Sequence, residues 1–195
     1  MSAIFQSLGK TITAGFVILI VIILATGGAG AKAGDHAWWA FVIRWLHVMS
    51  GVMWIGLLWY FNFVQTPSMP KIPDEQKPAI GKVIAPAALF WFRWGAMATI
   101  VTGVILAGMN GYLVSALTLT KGVHAIGIGM WLGAIMWFNV WFIIWPNQKK
   151  ALGMVTVAAE EKAAAARMAM LTSRFNTMLS IPMLYCMVAQ QNGGL

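Results

Sequence analysis

Residues 44–62 read RWLHVMSGVMWIGLLWYFN, a cation at the start, one histidine, and an otherwise almost unbroken apolar run. About 20 such residues are what an α-helix needs to cross the hydrocarbon core of a bilayer. The rest of the chain has the same character. Of its 195 residues 60% are hydrophobic and 9% charged, with a mean hydropathy of +0.77, whereas a soluble domain carries about 25% charged residues. So few charges cannot cover a globule of this size. That excludes a soluble enzyme, a disordered tail and a DNA-binding domain, despite a pI near 10.0. The single cysteine, Cys186, excludes an internal disulfide framework or a cysteine-based zinc site. The chain reads as an all-α integral membrane protein.

Five runs are long enough to span, at about 11–29, 38–64, 86–109, 123–145 and 171–190. The first follows Lys10 and ends among Ala29, Ala31 and Ala33, much as a secretory signal does; we read residues 1–34 as a retained anchor helix. Charge sets the orientation, because cations collect on the cytoplasmic side. With five spans, only Lys32, Arg44 and Lys121 of the 13 Lys and Arg lie on one side. The bias predicts a cytoplasmic N-terminus and an outer C-terminus, so the net charge of +8 is mostly a topology signal. The Pro-rich stretch 65–85 is expected to be a structured, non-helical loop. AAEEKAAAARMAM, at 158–170, is a helix former that extends the fifth helix.

The quoted stretch returns 77 residues later as KGVHAIGIGMWLGAIMWFN, 121–139. His47 meets His124, Trp54 meets Trp131, Asn62 meets Asn139, and Arg44 meets Lys121. RWGAM at Arg93 and RFNTM at Arg174 extend the match at an offset of 81. Residues 38–110 and 121–190 thus read as two copies of a helix pair. An even number of helices per copy makes the copies parallel, related by a pseudo-twofold axis along the membrane normal. The expectation is a four-helix bundle of helices 2–3 and 4–5, with helix 1 outside.

This arrangement puts His47 and His124 at similar depth near the outer end. Gly51 and Gly127 lie one turn on, where they would leave room beside an imidazole. Trp54 and Trp131 lie two turns deeper on the same face, and Arg44 and Lys121 one turn outward. Two opposed imidazoles with cations at the water edge fit one bis-histidine haem b. His47 and His124 would hold the iron, and Arg44 and Lys121 would pair with the propionates. Two other readings stay open: histidines bridging helices by hydrogen bonds, and a metal ion such as copper. No carboxylate falls in the spans, which argues against di-iron chemistry and an acidic proton relay. His36 reads as solvated, Asn62 and Asn139 as interhelical ties, and the methionines as packing, with Met49 or Met53 a fallback ligand.

WLHVMSGVMWIGLLWYFNFVQTP, GMWLGAIMWFNVWFIIWPNQKK and SRFNTMLSIPML resemble the membrane domain of the bacterial membrane-bound urate oxidase (urate hydroxylase) family, over about 40–188. In that family the membrane domain precedes a cytochrome c domain, and urate is oxidised with electrons passed to the respiratory chain. The resemblance implies an inner-membrane oxidoreductase or electron-transfer subunit. No C-x-x-C-H motif occurs, so covalent haem c attachment within this sequence is not expected. The leading expectation is a haem b electron-transfer protein or redox-complex subunit. Its partners would be membrane lipid, a periplasmic cytochrome c or other redox subunits, and quinone or urate. The alternatives are a urate- or purine-oxidising enzyme and a non-redox structural or assembly subunit.

Overall fold

The computed structural model describes residues 2–26 and 34–194. The signal-like alanines Ala29, Ala31 and Ala33 fall outside the described residues. Two compact units divide the chain, Met1–Val42 and Ile43–Leu195. In the first, a helical turn at Ser2–Phe5 precedes α1, Leu8–Ala25. The Thr11 hydroxyl donates to the carbonyls of Ile4 and Ser7 and joins the two. None of the residues of α1 is buried, as suits a helix whose whole circumference is apolar. Asp35 then accepts the Ala37 N–H at 2.9 Å, capping the helix that starts at His36.

That helix, α2, runs His36–Lys71 and enters the second unit. There it is followed by α3 (Lys77–Met109), the short α4 (Leu113–Leu117), α5 (His124–Ala151) and α6 (Ala159–Asn192). The described residues contain no strand. Four helices, α1, α2, α3 and α5, are long and apolar enough to cross a membrane. The expected fifth span lies inside α6, a helix of 34 residues, which is less apolar because it carries Ser173, Arg174, Asn176 and Ser180. Three of those polar side chains tie α6 to its neighbours. Ser173 accepts from Asn62 at 2.8 Å, Ser180 accepts from the Trp59 indole at 3.0 Å, and Asn176 accepts from Asn139 at 2.8 Å. The two repeat asparagines are therefore interhelical ties. The Ala-rich segment forms the first turns of α6, with Glu160 and Glu161 favourably placed at the positive end of the helix dipole.

The stretch 65–85 differs from expectation, since helix covers all of it except 72–76. The reason is how these helices accommodate proline. Proline lacks an N–H, and its ring collides with the carbonyl four residues back. Before Pro67, Pro86 and Pro146 the backbone widens into π-helix, at Tyr60–Gln65, Ile80–Ile84 and Asn139–Ile144. The residue preceding each proline bonds five residues back: Thr66 to Phe61, Ala85 to Ile80, Trp145 to Val140. The wider turn makes room for the ring, and the helix continues. Prolines that read as helix breakers are here passed without a break.

The core lies inside this bundle, where Trp54, Leu58 and Phe61 of α2 meet Leu89, Phe92 and Ala96 of α3, Met136, Val140 and Ile144 of α5, and Met183 of α6. Gly95 lets α3 approach α2 closely, since a Cβ there would lie 3.3 Å from the Trp54 backbone nitrogen. The chain between α3 and α5 folds over the end of the bundle through α4. Gln190 of α6 then clamps the start of α5, accepting the Ile126 N–H at 3.2 Å and donating to the Gly122 carbonyl at 2.7 Å. That satisfies one of the backbone donors a helix start leaves orphaned.

Candidate functional site

The second unit contains a cavity of about 130 Å³, partly open to the surroundings. That is smaller than the usual small-molecule site, about 300–1,000 Å³. Its walls come from α2 (His47, Trp54), α3 (Thr99, Ile100, Gly103, Val104), α4 (Leu117), α5 (Met130, Trp131, Gly133, Ala134) and α6 (Met183, Met187). Nearly every lining group is apolar, so the few polar atoms carry the information.

His47 is the principal one. Its Nδ1 lies 2.9 Å from the Thr99 carbonyl and 3.3 Å from the Thr102 hydroxyl oxygen. A carbonyl can only accept, so in the neutral ring Nδ1 carries the proton and Nε2 keeps its lone pair. The ring is held close against α3. A Cβ built on Gly103 would come within 2.9 Å of His47 Cε1 and 3.2 Å of Nδ1, nearer than real Cβ atoms come. Glycine at 103 therefore leaves the room that the imidazole takes up, and a Cβ there would oblige the ring to shift. Gly103→Ala is expected to push the ring off the Thr99 carbonyl and to destabilise the protein by about 1–3 kcal/mol, the usual cost of overpacking. Reversible unfolding in mixed micelles checks this, and unchanged stability refutes it.

Trp54 is the second polar wall group. It is 1% exposed, yet its Nε1–H has no hydrogen-bond partner. The indole N–H groups of Trp137 and Trp141, also screened from solvent, likewise have none. Trp131, its repeat counterpart, is 48% exposed and donates to the Leu117 carbonyl at 3.0 Å.

The structure brings His47, Trp54 and Trp131 to this one cavity. It does not place His124, Gly51, Gly127, Arg44 or Lys121 on the cavity wall. His124 is the first residue of the regular α-helical part of α5. Gly51 has open space where a Cβ would be. Gly127 is a packing glycine, since a Cβ there would run into the Ala116 carbonyl of α4. The room beside His47 is thus supplied by Gly103 on the neighbouring helix, not by a glycine one turn along α2. At an offset of 81 in sequence, the residue aligned with Gly103 is Leu184. Arg44, one turn before His47, is within electrostatic reach of Tyr112. Burial pushes that phenol above its usual range, and the Arg44 charge pulls the other way. Neither Arg44 nor Lys121 forms an ion pair among the described residues.

Sequence reading missed Thr99 and Gly103. Their one signal is spacing: four apart, they share a face of α3. Among the described residues no three His, Cys, Asp or Glu come together as a metal-ion site.

Residues 118–193 match the family described as urate oxidase N-terminal. Over this stretch the chain is similar to a urate oxidase N-terminal domain. It contains α5, α6 and the end of the connection from α4, and so supplies Met130, Trp131, Gly133, Ala134, Met183 and Met187 to the cavity. His47, Trp54, Thr99 and Gly103 come from helices outside the matched stretch. No curated protein and no solved structure matches the chain.

Proposed function

We propose that the chain is a membrane electron-transfer protein, or the redox subunit of a larger complex, that holds one haem b at His47. Electrons would pass towards a periplasmic cytochrome c, with the N-terminus in the cytoplasm of a bacterial inner-membrane protein. The observation that carries the reading is the His47–Thr99 bond. Iron-binding histidines typically donate their second ring N–H to a carbonyl or carboxylate, which fixes the tautomer and aims the other nitrogen at the metal. His47 has that arrangement, on the wall of an apolar cavity. A bound haem supplies one-electron redox chemistry.

Each nearby residue then has a defined task. Thr99 orients the ring and Gly103 gives it space. Trp54 offers a donor to an occupant, and the methionines and Ile100 keep water out. Arg44, one turn outward, and Lys121, in the connection before α5, offer positive charge to propionates. His124 belonged to the symmetric ligand pair read from the repeat; with His124 away from the cavity wall, the geometry favours His47 alone as the imidazole ligand.

A second reading has a specific observation behind it. The match over 118–193 favours a urate-related membrane protein, and Arg44 could attract a urate anion as readily as a propionate. A spectrum separates the readings. Protein purified in mild detergent from a haem-replete host is expected to show a b-type absorption spectrum reducible by dithionite. Colourless, haem-free protein refutes the haem reading. Urate consumption by membranes that stops when the protein is deleted supports the enzyme reading, whereas unchanged turnover removes it.

A further inference from the structure

We propose that the crease between α3 and α5 beside Trp145 binds the phosphate of an anionic phospholipid through Arg93 and Lys149. The site is independent of whatever His47 holds, and no comparison assigns it. Arg93 lays its guanidinium on Trp145, the central carbon 3.2 Å from that ring centroid and 5.9 Å from the centroid of Trp141. Of the N–H donors an arginine carries, the one on Nε bonds the Leu89 carbonyl at 3.2 Å. Those on the two terminal nitrogens have no acceptor among the described residues. Lys149, one turn beyond Trp145 on α5, brings its Nζ to 5.7 Å from the Trp145 centroid. The two cationic centres therefore stand no more than about 9 Å apart. The ion pairs among the described residues, Lys77–Asp74 and Lys150–Glu161, include neither of them. Two half-buried cations from different helices thus share one indole without a counter-charge.

Depth and surroundings choose the occupant. At about 1.5 Å per residue, Trp145 stands about 32 Å along α5 from His124, close to the hydrocarbon thickness of about 30 Å. The cations therefore lie a membrane's width from the His124 end, at the level of headgroup phosphates. Large apolar side chains flank them. Trp94, next to Arg93, is 50% exposed and meets Trp141 edge-on at 5.5 Å, and Phe90 packs on Trp94 at 6.4 Å. Acyl chains cover such a wall, whereas a free phosphate gains nothing from it. The guanidinium fork matches two phosphate oxygens, and the ammonium adds a point charge on a flexible stem. Charge-assisted bonds of about 2.7–2.9 Å let one phosphate touch both cations across that gap. A headgroup amine would bring a third cation to the site, which favours a headgroup without one. Basic pockets between membrane helices hold anionic lipid on this principle.

The test uses the full chain in mild detergent. Native mass spectrometry counts retained lipid, and thermal unfolding is followed during titration with phosphatidylglycerol, phosphatidylcholine or inorganic phosphate. Wild type is expected to retain phosphatidylglycerol in preference to phosphatidylcholine and to be stabilised by it. Arg93→Gln should lower affinity for phosphatidylglycerol about 10-fold and Lys149→Gln about fivefold, the weight of a bidentate and of a single cationic contact at a lipid surface. Lys71→Gln, an exposed cation on α2, should leave that affinity nearly unchanged. Lys149→Gln keeps the Arg93–Trp145 stack, so it decides the matter if Arg93→Gln fails to fold. Equal affinity for the two lipids overturns the proposal. So does affinity for phosphatidylglycerol that falls no further in Lys149→Gln than in Lys71→Gln, because bulk surface charge then explains the binding. Stabilisation by inorganic phosphate equal to that by phosphatidylglycerol overturns the lipid as occupant.

Discussion

On the proposed haem reading, His47→Ala protein is expected to purify without a b-type spectrum, while His124→Ala protein keeps one. The difference is large because the two histidines, one per copy of the repeat, occupy unlike surroundings. His47 is held between Thr99 and Gly103 with Nε2 unbonded, and it is the one imidazole on the cavity wall. Alanine there removes the proposed ligand and leaves its shape as empty volume, which a small added base such as imidazole should refill. Recovery of the spectrum on adding imidazole to His47→Ala would show that the fold survived and that the nitrogen alone was missing. Spectra of equal strength from wild type and His47→Ala would show that iron binds elsewhere. Equal loss in both single variants would restore the symmetric pair.

The second large effect concerns stability. Asn176→Ala is expected to destabilise the protein by about 1–3 kcal/mol, the cost of a buried polar group left without its partner. Asn176 is 0% exposed. Its amide donates to the Met136 carbonyl at 2.9 Å, and its oxygen accepts from Asn139 at 2.8 Å. Alanine strands the Asn139 amide in a site that is 7% exposed. The comparison is Asn62→Ala, whose amide also bonds within its own helix, to the Leu58 carbonyl at 2.9 Å, and which is only half-buried. That change should cost less, near the ~0.6 kcal/mol average measured for single interhelical bonds in membranes. Reversible unfolding in mixed micelles measures both. Equal losses from the two asparagines would show that burial is not what sets the cost.

Those asparagines are also where the sequence spoke most clearly. A polar amide recurring in register within apolar runs has few uses besides a bond to another helix, and both form one. The helical character of the chain was legible for the same reason: composition alone leaves little but spanning helices. The surroundings of His47 were not legible. They depend on which face of α3 packs against α2, and a run of apolar residues with small moments on every side does not reveal its buried face. Gly103 is one of 20 glycines and becomes distinctive only when an imidazole lies against it. The repeat suggested a symmetric site, but a repeat constrains backbones more tightly than side chains. The Pro-rich stretch misled for a third reason, since a widened turn upstream lets a helix carry a proline that composition reads as a stop.

The widened turns also bear on how much of the molecule lipid can cover. At 1.5 Å per residue, α2, α3 and α5 measure about 54, 50 and 42 Å, from 36, 33 and 28 residues, against a hydrocarbon thickness of about 30 Å. Even with ordinary tilt, several turns of each must stand in the headgroup layer or beyond it. The three π-segments fall in the halves of these helices that bear Lys71, Lys77, Lys82, Lys149 and Lys150. Near that end Arg93 stacks on Trp145, its guanidinium carbon 3.2 Å from the ring centroid. The excess length therefore forms a cationic, aromatic collar at the membrane surface, stiffened by continuous helix where loops would have been pliable. Anything approaching the protein from that side meets this collar before it meets the bilayer.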